Sequence, residues 1–220
     1  MSVVAIDGPA GAGKTTIAKA VADALGWDYV DTGAMYRAMT LKALDEGVDP
    51  HDAGQLGRVA EAADVSFDGG TVVLNGADVT GRIRSREVTE AAPLVAAQPR
   101  VRKALVRLQR EAARRGDVVM EGRDIGSVVV PEAILKVFLT ASPDERARRR
   151  VEELGLEPNH DNLARMERSL SERDEADAGR ATSPLVQAAD AIAIDTTNKT
   201  IGDVVTQIVG LLRERVNDAR

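Results

Sequence analysis

The chain has no cysteine, which excludes disulfides, thiolate metal sites and cysteine nucleophiles and suits a reducing compartment. Histidine is scarce as well. His51 and His160 stand in polar, loop-like stretches and read as solvated surface residues, not as metal ligands or catalytic bases. No apolar run reaches membrane-spanning length, and no leader is expected ahead of the first strand-like run, so a soluble cytoplasmic protein is expected. Internal repeats and low-complexity tracts are missing too. Basic residues are outnumbered, 29 against 35 acidic, for a net charge of −6, which argues against nucleic acid or an anionic membrane as partner. Arginine is nevertheless locally dense from 100 to 115 and from 146 to 150. With 220 residues the chain can build one substantial core, with small insertions.

What is present is an alternation. Strand-like runs at Ser2–Asp7, Asp28–Asp31, Asp117–Glu121, Ile134–Thr140 and Ala191–Asp195 are mostly separated by helical patterns, which predicts a parallel sheet covered on both faces. Ser142-Pro143-Asp144-Glu145 reads as a capping box with proline at the first helical position, and Thr200-Ile201-Gly202-Asp203 as a weaker cap. The latter precedes a core stripe of Ile201, Val204, Val205, Ile208, Leu211 and Leu212. Two stretches break the rhythm. Val65 to Thr80 has β-rich runs with Gly-Gly and Asn-Gly turns, predicting a small antiparallel insertion of two or three strands. Leu154 to Ser183 is rich in charge, either a solvated helical face or a lid over phosphates.

The run Gly8-Pro9-Ala10-Gly11-Ala12-Gly13-Lys14-Thr15 fits the phosphate-loop pattern G-x-x-x-x-G-K-[ST]. It joins an apolar strand to a helical stripe of Ile17, Ala20, Val21, Ala24 and Leu25, as that pattern requires. Glycines let the backbone N–H groups turn toward one anion above a helix N-terminus. Lys14 is expected to neutralise the β- and γ-phosphates of a nucleotide, with the Thr15 hydroxyl on the accompanying Mg²⁺.

A phosphate loop does not say what receives the phosphoryl group. Asp31-Thr32-Gly33-Ala34-Met35-Tyr36-Arg37 opens a helix after the second strand, at the sheet edge where ligands of open α/β folds lie. There Thr32 and Arg37 read either as ligands of a second phosphate or as a helix cap and a surface charge. Glu121-Gly122-Arg123-Asp124-Ile125-Gly126 ends a buried strand on a glycine-flanked turn, where adjacent opposite charges point to function. On the helix from about Pro99 to Arg115, Val101, Leu105, Leu108 and Ala112 form the core stripe, while Arg100, Lys103, Arg107, Arg110 and Arg114 form a solvated face. Arg102 belongs to neither, and reads as a ligand contact or a snorkelling boundary residue. Arg173, Asp177 and Arg180 share one helical face if the helix extends that far. Of Arg146, Arg148, Arg149 and Arg150, some are expected to stabilise a transferring phosphoryl group, with Arg148 and Arg150 left to solvent.

With GPAGAGKTT, DTGAMYR, AAQPRVR, EGRDIG and SERDEADAGR in this order, the chain resembles the bacterial cytidylate (CMP/dCMP) kinases from Val3 to near its C-terminus. The resemblance implies a P-loop kinase fold: a five-stranded parallel core, a nucleoside-monophosphate-binding insertion with a small antiparallel sheet, and a helical lid. It implies one kinase domain over 1–220, with core at about 1–57, 99–150 and 184–220, insertion at about 58–98 and lid at about 151–183. Gly8, Pro9, Ala10, Gly11, Ala12, Gly13, Lys14, Thr15 and Thr16 would then form the ATP loop. Thr32, Arg37 and Arg123 would hold the acceptor phosphate, with Arg173 and Arg180 closing from the lid. Arg102 and Asp124 would read cytosine, and Asp177 the sugar. Lys14, Arg123, Arg173 and Arg180 are the implied catalytic group. Two positions depart from the family pattern: Pro93 stands where a serine can meet the base, and Ala176 where the lid can carry arginine. The implied reaction is transfer of the ATP γ-phosphoryl group to CMP or dCMP with Mg²⁺, by a monomer without nucleic-acid, membrane or obligatory protein partner.

The chemistry asks for no histidine. A nucleoside monophosphate, with its second pKa at about 6, is already largely a dianion near neutrality, so the acceptor oxygen needs no strong base. Charge neutralisation and in-line alignment are what remain. Two rivals share the loop. A guanine-nucleotide switch is disfavoured because Asn198-Lys199-Thr200-Ile201 lacks the aspartate that pairs with guanine. A kinase for shikimate, gluconate or another monophosphate is the other, and Arg102 with Arg123-Asp124 favours an acceptor bearing both an anion and a polar base edge.

Overall fold

The computed structural model describes residues 2–68 and 70–218. In chain order the elements are β1 (Val3–Asp7), α1 (Lys14–Leu25), β2 (Asp28–Asp31), α2 (Thr32–Asp45), α3 (Ala53–Glu61), β3 (Val65–Asp68), β4 (Thr71–Leu74) and β5 (Ala77–Asp78). They continue with α4 (Arg86–Ala97), α5 (Pro99–Ala113), β6 (Val118–Gly122), β7 (Leu135–Thr140), α6 (Pro143–Glu153), α7 (His160–Ala178), β8 (Ile192–Asp195) and α8 (Ile201–Asp218). The chain divides into two compact units, one formed by Val30–Arg115 and the other by the residues before and after it.

The predicted alternation becomes a five-stranded sheet in the order β2-β6-β1-β7-β8. β1 runs parallel to β6, with Val3 beside Val118, and to β7, with Val4 beside Leu135; β7 runs parallel to β8. Every residue of β1 and β6 is buried, as expected of central strands covered on both faces. Val4, Ile6, Ile17, Val21, Val119, Leu135, Val137, Leu139, Ile194, Val204, Ile208 and Leu212 form the core. The stripe on α8 holds except at its start, for Ile201 is 52% exposed. It lies in the first turn, where one side of the helix has no neighbour to cover it.

The two helix starts exchange their expected ranks. At Thr200 the box is complete: the Asp203 N–H donates to the Thr200 hydroxyl, and the Asp203 carboxylate accepts from both the Thr200 N–H and its hydroxyl. At Ser142 only half forms. The Ser142 hydroxyl accepts from the Glu145 N–H, but the Ser142 N–H donates to Thr197 and the Glu145 carboxylate is taken by Arg148 and Arg149. Arginine competitors have withdrawn the reciprocal partner.

The Val30–Arg115 unit contains the expected small antiparallel sheet, in the order β3-β4-β5. Asn75 and Gly76, both at positive φ, turn β4 into β5, the conformation for which Asn-Gly is chosen. Gly69 of the Gly-Gly turn lies outside the described residues. On α5 the buried stripe is Val101, Ala104, Leu105 and Leu108 with Ala113 in place of Ala112, because Arg102 and Gln109 are also drawn inside and rotate the buried face.

Candidate active site

The phosphate loop follows β1, with Gly8, Gly11 and Gly13 all at positive φ. At Gly8 the need is double, since a Cβ there would stand 2.1 Å from the Leu139 carbonyl oxygen of β7. At Gly11 a Cβ would press at 3.0 Å on Arg146 of α6. The loop is held from outside as well: Ala10 packs with Ala147 of α6 and Leu170 of α7, and the Thr196 hydroxyl donates to the Ala12 carbonyl. Gly13 has no side chain to cap α1, whose first turn exposes Thr15 and Thr16.

Lys14 opens α1 and is buried, with Nζ donating to the Pro9 carbonyl at 2.8 Å. Burial pushes its pKa down from 10.5 to about 7, and repulsion by Arg123 and Arg173 adds to this, against the pull of Glu121 and Asp7. Loop lysine, turn arginine and helix arginine therefore share one electrostatic neighbourhood, as the sequence reading requires of three of its catalytic residues.

The turn after β6 brings the next group. Glu121 is buried and accepts from the Tyr29 hydroxyl at 2.5 Å. Arg123 donates from Nε to Asp177 at 2.9 Å. Arg180 pairs with the other oxygen of the same carboxylate. Asp177, itself buried, thus lies between two of the expected phosphate ligands. α7 ends at Ala178, so Arg180 lies beyond the helix on which the spacing had placed it, although it still meets Asp177. Gly179 follows as the end residue, and glycine seldom continues a helix.

Asp124 is buried and precedes a π-helical turn at Ile125–Val129, in which the Val129 and Val130 N–H groups donate to the Asp124 and Ile125 carbonyls. The amides that open this turn are bound elsewhere: Asp7 accepts from the Ile125 and Gly126 N–H groups, both at 2.8 Å. Burial raises the Asp7 carboxyl from 3.8 to about 6, with those two hydrogen bonds opposing the shift.

The arginine cluster of α6 is largely neutralised from within. Arg146 pairs with Asp174 of α7 at 2.5 Å, Arg148 with Glu145 and Glu152, and Arg150 with Glu153. Arg149 reaches Glu145 and also Thr196, through both its hydroxyl and its carbonyl. These contacts join α6 to α7 through the Arg146–Asp174 ion pair and to the loop after β8 through the Arg149–Thr196 hydrogen bonds.

In the Val30–Arg115 unit, Thr32 is buried at the start of α2, but the cap is Asp31, whose Oδ1 accepts from the Ala34 N–H. Capping therefore does not account for Thr32. Arg37 is no free surface charge, since Nη1 donates to the Thr89 hydroxyl of α4 at 2.9 Å. Arg102 is 3% exposed, donates to the Ala96 carbonyl and lies 5.1 Å over the Tyr36 ring, a cation–π contact that orients the guanidinium. Pro93 sits inside α4 with its side chain exposed.

Sequence reasoning left Asp7, Glu121 and Thr89 without roles. For the two acids a signal existed: each is a carboxylate near the end of an otherwise apolar, wholly buried strand. Thr89 had none, being one threonine among the helical residues of α4.

Among the described residues, no helix is long and apolar enough to cross a membrane. A family model described as cytidylate kinase matches residues 4–214. The cytidylate kinase of Solibacter usitatus (strain Ellin6076) is 49% identical over 220 residues, covering 99% of this chain and 95% of that protein. That of Pelotomaculum thermopropionicum (strain DSM 13744 / JCM 10971 / SI) is 51% identical over 211 residues, covering 94% and 93%. An uncharacterized protein from Eubacterium ventriosum ATCC 27560 shares the fold at a TM-score of 0.55 and 12% identity, over 97% of this chain and 99% of that one. With its phosphate loop, its arginine-lined turn and a match along nearly its whole length, the chain belongs to the cytidylate kinase family.

Proposed function

We propose that the protein transfers the γ-phosphoryl group of ATP to CMP or dCMP, releasing ADP and CDP or dCDP. The observation that carries this reading is the buried lysine of the phosphate loop, whose charge is disfavoured by burial and by repulsion from Arg123 and Arg173 until an anion arrives. Such a site favours a ligand that brings several negative charges, and it offers positioning and electrostatics, which are most of what phosphoryl transfer needs.

The residue roles proposed with it are those that the resemblance implies. Residues 8–16 cradle the ATP phosphates, and Lys14 follows the charge that develops at the β/γ-bridge. Thr32, Arg37 and Arg123 bind the acceptor phosphate, with Arg173 and Arg180 arriving from the lid at about 151–183. Arg102 and Asp124 recognise the base, and Asp177 the sugar. Among the described residues no group of three or more histidine and carboxylate side chains is arranged to cage a metal. Mg²⁺ keeps much of its water and is held by few protein oxygens together with phosphates. The exposed Thr15 hydroxyl and the Glu121 carboxylate are oxygen donors of the right kind. When bound, the ion would neutralise charge on the transferring group. The protein acts as a cytoplasmic monomer with these nucleotides as its partners. A coupled ADP-release assay over a panel of nucleoside monophosphates, shikimate and gluconate tests the reading; turnover confined to the hydroxy acids would overturn it.

A further inference from the structure

The opening amides of the turn after β6 raise a question of chemistry. The residue at its N-cap is Asp124, an aspartate, a type suited to accept from the second amide of the turn, that of Gly126, itself. It makes no side-chain capping bond. A second aspartate does so instead, reaching from the end of β1 across 118 and 119 residues of sequence to the Ile125 and Gly126 N–H groups, one per carboxylate oxygen. Asp7 is only 5% exposed, and burying a carboxylate is unfavourable in itself. Had the turn needed nothing more than a cap, Asp124, already buried at its N-cap, would have served without a second buried carboxylate.

We propose that Asp7 is a positioning residue for acceptor recognition: by capping the 125–129 turn in place of Asp124, it sets the direction in which Asp124 and the adjacent Arg123 face the acceptor nucleotide. This rests on the reading above that Asp124 recognises the base and Arg123 the phosphate. Asp7 is well placed for the task. It pairs in the sheet with Gly122 on one side and Phe138 on the other, and the next residue, Gly8, is packed against the Leu139 carbonyl. Little freedom remains for the carboxylate, so the two amides it holds are fixed relative to the first residue of the phosphate loop. Donor loop and acceptor turn are thereby tied through one side chain.

In Asp7→Asn the side chain keeps its size but turns one N–H donor toward a backbone N–H, so one of the two bonds is lost. The expected result is a fall of at least tenfold in kcat/KM for CMP and a CMP-over-UMP ratio contracted at least threefold, with KM for ATP changed by less than threefold. The experiment combines Asp7→Asn with Asp124→Ala in a double-mutant cycle on the full chain, following kcat/KM for both monophosphates and the thermal midpoint. If Asp7 acts through Asp124, its effect on the CMP-over-UMP ratio largely disappears in the Asp124→Ala background. An equal contraction in both backgrounds, or an unchanged ratio with equal losses on CMP and UMP, overturns the proposal and leaves Asp7 a structural cap. Failure of the underlying reading looks different: Asp124→Ala alone would then keep the unmutated ratio. Should Asp7→Asn not fold, Asp7→Glu retains the charge but displaces it by one methylene, and the same contraction and the same cycle are expected of it.

Discussion

Lys14 carries the sharpest consequence of burial at the residue scale. With its pKa held at about 7, it is mostly neutral at pH 8 in the protein alone. A polyphosphate beside it favours the charged form and lifts the pKa, so ATP binding at pH 8 is expected to draw in up to about one proton. Calorimetry in buffers of differing ionisation enthalpy reads this directly; no uptake, or release, would contradict the placement of Lys14 against the phosphates. Asp124 makes the second case. Cytosine offers an N4 amino group that a carboxylate can accept from, whereas uracil presents O4 there, leaving buried groups unpaired at about 1–3 kcal/mol each. CMP is therefore expected over UMP by a factor on the order of tens to thousands in kcat/KM, nearer the lower end because Pro93 offers no hydroxyl. Asp124→Asn should narrow that gap mainly through poorer use of CMP, and equal use of both monophosphates by the unmutated enzyme would remove Asp124 as a base reader.

At the scale of elements, α6 and α7 combine firm and adjustable contacts. Leu170 and Ala147 pack on Ala10, and Arg146 binds Asp174, whereas much of 154–183 is exposed and polar. Hydrogen exchange between Leu154 and Ser183 should slow markedly when a bisubstrate analogue is added, as expected of a lid that closes. Equal protection with and without it would make the segment a static charged helix. The box at Thr200 gives a stability test: Thr200→Ala should cost about 1 kcal/mol in urea unfolding, because both directions of the box are formed. The elements themselves were legible because their causes are local. Apolar runs and the Gly-rich loop announced β1 and α1, and Asn75-Gly76 announced its hairpin. Partnerships across long stretches of chain were not. Asp7 with Ile125, Tyr29 with Glu121 and Arg149 with Thr196 are separated by 118, 92 and 47 residues, and no periodicity encodes them. Glu145 shows the same limit, since its choice of arginines over the Ser142 amide depends on which neighbours the fold delivers.

For the molecule as a whole, the site works against stability. The Asp7 pKa in the fold lies above its unfolded value of 3.8, so its contribution is full below that value and is lost as pH rises through about 6. The Lys14 pKa lies below its unfolded 10.5, so its contribution is full above that value and is lost as pH falls through about 7. Both groups are therefore least favourable between about pH 6 and 7. Urea midpoints measured from pH 4 to 10 should show the unmutated protein losing ground to Asp7→Asn between pH 4 and 7, and gaining on Lys14→Met between pH 7 and 10. Flat difference profiles would refute both shifts.

The pairing of Asp177 with Arg123 and Arg180 has a consequence of another kind. At that point the protein resembles an ion exchanger loaded with its own tethered counter-ion. On the proposed reading, an incoming phosphate trades places with a carboxylate that never leaves the molecule. The two guanidinium groups need not face each other unscreened during the exchange, and the displaced Asp177 is released beside the sugar that arrives with the phosphate.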